Sequence, residues 1–102
     1  MQHQVEANDR SQRQARIIKE ALLIATVTEW SPGDGFAVLN VHRHESAQEG
    51  TVLAIRRNTG IIGQLKISSL YNDGAVADPI PGTFLGGSLD VKPGDELIIP
   101  PL

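Results

Sequence analysis

Apolar side chains recur at every second position from residue 22 onward, and this period of two constrains the fold more than any other feature. The segment 49–67, EGTVLAIRRNTGIIGQLKI, shows the pattern most clearly, because two alternating runs flank the turn-forming triplet Asn-Thr-Gly. Alternation places successive side chains on opposite faces of a strand, so one face can be buried. The sequence therefore predicts a β-hairpin with a short, bulged loop in which Asn58 and Gly60 can both take positive φ.

Six such alternating segments follow one another, separated by turns, and all 10 glycines and 6 prolines of the chain occur from residue 31 onward. Leu70 is out of phase with the rest of its strand, which predicts a bulge near Ser68 or Ser69. Pro79 places the fifth strand at an edge, or itself at a strand end. This pattern predicts a mainly β fold, a small antiparallel barrel that is closed or partly open. The predicted strands are 22–30, 36–41, 51–57, 61–71, 75–80 and 96–100.

The composition changes near residue 20, and the first part of the chain is typical of a helix. We predict a helix over about residues 6–20, capped by Asn8 or Asp9, followed by one barrel domain over 22–102. Residues 1–21 are thus a possible coiled-coil end or linker, an ordinary docked helix, or a disordered segment. Their apolar stripe is sparse and consists of Val5, Ala15, Ile18 and Leu22.

Charge and composition limit the classes of partner. The net charge of −3 argues against nucleic acid, and the absence of cysteine excludes disulfides and thiolate chemistry. Arg10, Arg13 and Arg16 recur every three residues, a spacing more typical of a solvated helix face than of an anion-binding surface. The sequence has no apolar run long enough to span a membrane. We expect a cell-envelope or periplasmic location if the chain is an excerpt of an anchored protein, and a cytoplasmic location otherwise.

The residues with catalytic or metal-binding chemistry favour structural interpretations. His42 and His44 could face one metal ion on an extended chain, with Glu45 and the distant His3 as further ligands, but an exposed polar loop is the favoured interpretation. Asp34, Asp73 and Asp95 each neighbour glycine in predicted turns, where aspartate side chains bond to nearby backbone amides. We therefore expect no enzyme activity, no cofactor, no metal and no small-molecule substrate.

Four residues are candidate partner contacts. Arg57 follows the inward side of its strand, so it is expected to cap the barrel end and pair with Asp95 or Glu96. Trp30 ends the first strand. Phe84 and Leu85 are the only large apolar pair in the predicted loop 81–94. Exposure of the Trp30 and Phe84 rings would favour a binding site, whereas their burial would favour a scaffold.

Residues 24–99 resemble a small β-barrel domain that follows coiled coils in uncharacterised, anchored bacterial envelope proteins. The resemblance lies in "ATVTEWSPGDGFAVLNV", "EGTVLAIRRNTGIIGQLKISSLYNDGAVADPI" and "LDVKPGDELII". It is similar in outline to the C-terminal domain of flagellar assembly protein T and the barrels of the cell-shape protein MreC. Two glycines usual in the loop after the second strand are replaced by His42 and Ser46. The residues that fall on motif positions are Gly50, Arg57, Gly63, Gly94 and Asp95.

The resemblance implies a scaffold or assembly module and not an enzyme. We therefore expect a non-catalytic module of a bacterial cell-envelope protein that self-associates or binds a protein partner through its helix and barrel surface. The alternative is a barrel that binds an extended peptide or a cell-wall glycan, for example by strand addition at an open edge near Pro79.

Overall fold

The barrel consists of six antiparallel strands with one helix packed on its outside, in a computed structural model that describes residues 12–101. Helix α1 covers residues 12–20, and two short 3-10 turns, His44–Ser46 and Leu85–Gly87, lie in loops. The predicted helix start near residue 6, its caps Asn8 and Asp9, and Val5, Arg10 and His3 lie outside the described residues. The strands are β1 Ala25–Ser31, β2 Phe36–Val41, β3 Val52–Arg57, β4 Gly60–Leu70, β5 Gly74–Pro79 and β6 Glu96–Ile98.

The six strands close into a ring in the order β1-β2-β5-β4-β3-β6, with β6 pairing both β1 and β3. The predicted six-stranded antiparallel barrel is confirmed, and of the two forms considered the described strands take the closed one. Pro79 is the last residue of β5, a position where a missing backbone N–H interrupts little of the ladder. Because β5 pairs with both β2 and β4, it is not an edge strand.

The β3–β4 hairpin corrects one detail of the predicted turn. Asn58 has a φ of 58°, as anticipated, whereas Gly60 is already paired with Arg57 and its φ is not in the left-handed region. The predicted bulge is present, because Ile55 pairs with Gly63 while Arg56 pairs with Ile61. A second shift falls between Ile67 and Ser69, which confirms the bulge predicted from the phase of Leu70.

Aliphatic side chains fill the barrel. The inward positions alternate with outward ones as the sequence period requires, and burying each large side chain stabilises the fold by about 1.5–3 kcal/mol. Alanines on β1, β2 and β5 leave room for these larger neighbours, so the interior is packed throughout. The largest fully buried side chains of this interior are Ile24, Val27, Leu39, Leu53, Ile55, Leu65, Ile67 and Leu97.

A second, smaller cluster joins α1 to the outside of the barrel. Ile18 packs with Ala54 of β3 and Ile98 of β6, and Ala21 and Ile61 lie against them. The outward face of β3 is therefore buried as well as its inward face. Of the interpretations considered for the start of the chain, residues 12–20 form a docked helix. Leu22, predicted to extend the apolar stripe, is exposed because the helix has ended by residue 21.

Candidate functional site

Two adjacent arginines at the end of β3 organise the charged part of the surface. Because successive side chains of a strand alternate, Arg56 turns outward toward α1 and Arg57 follows the inward side to the barrel end. Arg57 donates from Nε to Oδ1 of Asp95 at 2.9 Å and from Nη2 to Oδ2 at 2.8 Å, which forms a bidentate pair. Nη1 also donates to Oδ2 of Asp90 at 2.7 Å. The predicted pairing of Arg57 with Asp95 is confirmed.

A turn holds Asp95 in place for this pairing. The backbone N–H of Lys92 donates to Oδ2 of Asp95 at 2.8 Å, and the N–H of Asp95 returns to the carbonyl of Lys92 at 3.1 Å. Gly94, between them, has a φ of 94°, a conformation that side chains with a Cβ rarely adopt. Asp95 is only 6 % exposed, so its charge is balanced by Arg57 rather than by water.

The hydrogen bonds that Arg57 donates change the pKa of Arg57 and of Asp90. The hydrogen bonds from Arg57 to Asp95 and then to Asp90 raise the pKa of the Arg57 guanidinium above its ordinary value. The hydrogen bond from Arg57 lowers the pKa of the half-exposed Asp90 carboxyl. With a further bond from Nη2 to the Asp90 carbonyl at 3.1 Å, Arg57 makes four hydrogen bonds within the chain. A guanidinium has five N–H groups, so little donor capacity remains for a ligand.

Arg56 has a structural role that was not predicted from the sequence. Its Nη1 donates to the carbonyl oxygens of Ile18 at 2.8 Å, Lys19 at 3.2 Å and Ala21 at 2.7 Å. Its Nε donates to Oε1 of Glu96 at 3.1 Å. The last carbonyls of a helix have no partner within the helix and carry partial negative charge, so a cation here is favourable. Arg56 thus caps the C-terminal end of α1 while it is only 8 % exposed.

A sequence signal for this cap existed in the outward side of β3. Ala54, two residues before Arg56, and its β6 partner Ile98 both face outward, and adjacent outward apolar side chains indicate that another element covers them. The alternation along β6 also places the side chain of Glu96, and not that of Asp95, on the outward side of the barrel, where Arg56 lies. Glu96 was considered only as a partner for Arg57, and the structure pairs it with Arg56 instead.

The loop after β5 carries two of the apolar candidates, Phe84 and Leu85, and Thr83 fastens it to β4. The Oγ1 of Thr83 donates to the Ile80 carbonyl at 2.7 Å and accepts from the backbone N–H of Gln64 at 3.1 Å. With the loop anchored in this way, the Phe84 ring packs directly on Gly63, where the Cβ of any other residue would overlap the ring. Phe84 is therefore buried and closes the barrel end.

The remaining apolar candidates, Leu85 and Trp30, differ in how far their side chains are exposed. Leu85 is 68 % exposed, whereas Trp30 is half-buried and packs against the core. An open cleft of about 540 Å³ adjoins the same loop, and it is lined by Phe84 but not by Trp30, Leu85 or Arg57. The structure therefore does not gather the four candidate contacts into one site. The cleft lining consists of Gly35, Asp78, Pro79, Pro81, Gly82, Phe84, Gly87 and Leu89.

The histidine segment does not have the extended geometry that the metal interpretation required. His44 begins a 3-10 turn, and the Nε2 of His42 is hydrogen-bonded to Oγ1 of Thr26 at 2.8 Å. Within residues 12–101, no three side chains of His, Asp or Glu are grouped so that they could hold a metal ion. Asp34 accepts a hydrogen bond from the Ser31 hydroxyl at 3.1 Å, in agreement with a turn role.

The fold and its charged surface define a class: a closed six-stranded antiparallel barrel with a helix packed on β3 and β6 and capped by a strand arginine. Comparison with known protein families, curated proteins and solved structures found no match to the chain. Among the described residues, none belongs to a helix with the length and hydropathy to cross a membrane.

Proposed function

We propose that this chain is a non-catalytic assembly module of a bacterial cell-envelope protein, which self-associates or binds a partner protein through its helix and barrel surface. The observation that carries the proposal is the Arg56 cap. Three carbonyls at the end of α1 converge on one guanidinium that belongs to the barrel. The C-terminal end of α1 is therefore fixed in position on the barrel.

The charged groups support a non-catalytic role, because the described acids nearest the arginines serve as structural partners. Asp90 and Asp95 hold Arg57, and Glu96 holds Arg56. General acid–base catalysis needs a carboxyl that can exchange its proton with a substrate in a cleft. Here the hydrogen bond from Arg57 keeps the pKa of Asp90 below its ordinary value, which favours a permanent anion.

The envelope setting rests on the resemblance to barrels that follow coiled coils in anchored envelope proteins. The motif positions have structural roles in this chain, which supports the comparison. Gly63 lies under the Phe84 ring, and Asp95 is held between the Lys92 turn and Arg57. A family defined by such positions shares an architecture rather than a chemistry.

Light scattering of the 102-residue chain over a wide range of concentration tests the self-associating form. We expect the apparent mass to rise above that of one chain, and circular dichroism to show that the fold is unchanged. A chain that remains monomeric at every concentration, with no concentration-dependent NMR shifts, would contradict self-association.

The alternative, a barrel that binds an extended peptide or cell-wall glycan, is supported by the open cleft beside Phe84. The closed ring of described strands removes main-chain addition at a sheet edge as the means of binding. A ligand would instead have to use side-chain contacts in the cleft. NMR titration with peptidoglycan fragments and with apolar peptides tests this alternative, and it predicts shifts confined to the cleft lining.

A further inference from the structure

We propose that the barrel of one copy of this chain receives α1 of a second copy, with Ile17 in the apolar groove beside Phe84 and Arg16 facing Asp78. This inference rests on the proposed assembly function and names the two surfaces that meet. The contact is head-to-tail, because α1 and the groove are different surfaces of the same molecule.

The receiving surface is a groove made of two adjacent clefts. The first, of about 540 Å³, and the second, of about 420 Å³, share the wall residues Asp78, Pro79 and Pro81. Most of the lining is apolar or glycine, and Leu89, at the rim of the first cleft, is 55 % exposed. We call this continuous surface the Asp78 groove. Exposed apolar side chains gathered around a concave surface are typical of an interaction site.

Charge determines which kind of partner fits the Asp78 groove. The lining of the first cleft contains the Asp78 carboxylate and no Lys or Arg. Lys66, which lines the second cleft, lies directly opposite Asp78 in the β4–β5 ladder, yet these two side chains form no ion pair within 4.0 Å in the described part of the chain. An apolar segment that carries a cation would therefore complement the first cleft.

Helix α1 combines an exposed apolar side chain with an excess of cationic side chains. Residues 12–20 contain three Lys or Arg against one Glu, whereas residues 22–101 contain five against nine Asp or Glu. Ile18 packs onto the barrel of its own copy, but Ile17 is 59 % exposed and follows the exposed Arg16. An exposed isoleucine on a basic helix is thus available to the apolar first cleft, whose one charged lining residue is Asp78. This is the helix-in-groove mode of recognition.

The barrel topology prevents α1 from occupying the groove of its own copy. The helix packs on β3 and β6, whereas β5, which carries Asp78 and Pro79, is two strands from β3 and three from β6 around the ring. Helix and groove therefore lie on different faces of the barrel. Contact between them requires two copies, and repetition of this contact would give an open chain or a ring.

Sedimentation of variants and of their mixtures tests the inference. We expect the wild-type chain to associate, and Ile17→Asp and Leu89→Asp each to sediment as monomers, because each removes one of the two surfaces. An equal mixture of these two variants should form a dimer, since each supplies the surface that the other lacks. Leu70→Asp, at an exposed position outside the groove lining, is the matched control and should associate like wild type.

Charge reversal provides an independent readout that a folding defect would not reproduce. Arg16→Glu or Asp78→Lys should raise the dissociation constant by about twofold to fivefold, the range that one exposed ion pair contributes. The double variant Arg16→Glu/Asp78→Lys should restore it. Melting temperatures measured by circular dichroism confirm that each variant is folded.

Three outcomes would overturn the inference. A mixture of Ile17→Asp and Leu89→Asp that remains monomeric would show that the two surfaces do not meet. Association that is lost in Ile17→Asp but retained in Leu89→Asp would indicate contact between helices, and the assembly function would stand without the groove. A wild-type chain that never associates would overturn both this inference and the self-associating form of the proposed function.

Discussion

The guanidinium of Arg57 and the carboxylate of Asp95 form two parallel hydrogen bonds of 2.9 and 2.8 Å across the end of the barrel. They join the last residue of β3 to the turn before β6, which are 38 positions apart in the chain. Asp95 is buried, so the pair is more consequential than an ion pair at the surface.

Replacing Arg57 by alanine should lower the free energy of unfolding by about 3 kcal/mol, because Asp95 would remain buried with an uncompensated charge. Arg57→Lys should recover only part of this loss, since an ammonium cannot form the bidentate pair. Urea denaturation measures both effects. Arg43→Ala is the matched control, because Arg43 approaches the exposed Glu45 only at 3.9 Å and its loss should change stability by less than about 0.5 kcal/mol. Equal losses at 43 and 57 would contradict the role of the pair.

Replacing Arg56 by alanine should release the end of α1 while the barrel remains folded. The carbonyls of Ile18, Lys19 and Ala21 would lose their donor. We expect hydrogen exchange of the α1 amides to accelerate by at least about tenfold, with little change in β2 and β5. Glu96 also accepts a hydrogen bond from Arg56. Glu96→Gln removes only the charge of this acceptor and should therefore accelerate exchange of the α1 amides less. Protection of α1 unchanged in Arg56→Ala would show that Ile18 packing alone holds the helix.

Gly63→Ala should destabilise the fold by about 1–3 kcal/mol, because the new methyl group would overlap the Phe84 ring. Phe84→Leu in the same chain should recover part of the loss by removing the ring. Gly33→Ala is a suitable control, since a Cβ at that position meets no atom within 4 Å and its φ is not positive. Thermal unfolding followed by circular dichroism compares the variants. Additive effects at positions 63 and 84 would contradict direct contact.

The β3–β4 turn should depend on residue 58 and not on residue 60. Asn58→Val places a β-branched side chain at a φ of 58° and should cost about 1–2 kcal/mol, whereas Asn58→Gly should be tolerated. Gly60→Ala should change stability by less than about 1 kcal/mol, because its nearest neighbour is the Arg57 carbonyl oxygen at 3.8 Å and its φ is not positive. If Gly60→Ala melted at a lower temperature than Asn58→Val, the residue with positive φ would have to be Gly60 and not Asn58.

Acid should weaken the link between Asp90 and Arg57. Since the hydrogen bond from Arg57 lowers the pKa of Asp90 in the folded state, the unfolded chain binds this proton more readily. The stabilisation is therefore fully present above the unfolded pKa of about 3.9 and is lost as the pH falls through the lower folded value. NMR titration of the Asp90 carboxyl should give a midpoint below that of a model peptide. In Arg57→Lys the midpoint should rise toward it, and an unchanged midpoint would contradict the assigned cause.

Particular elements show how far the sequence determined this structure. Alternation and turn residues were enough for six strands, and the phase of Leu70 located a bulge that the β4–β5 register confirms. The alternation also aligned Arg57 with the inward side of β3, so its pairing with Asp95 could be predicted. These features depend on neighbours along the chain or on short loops, which local side-chain preferences specify.

Other features depended on which distant surfaces came together. Closure of the ring required β6 to pair with both β1 and β3, and the Arg56 cap required α1 to reach the outward face of β3. The Asp78 groove exists only because the Thr83 anchor brings the loop after β5 over Gly63. The sequence by itself determined the period, the turns and the inward side of each strand. Only the tertiary structure decided the closure, the docked helix and the groove, because each depends on packing between segments that are far apart along the chain.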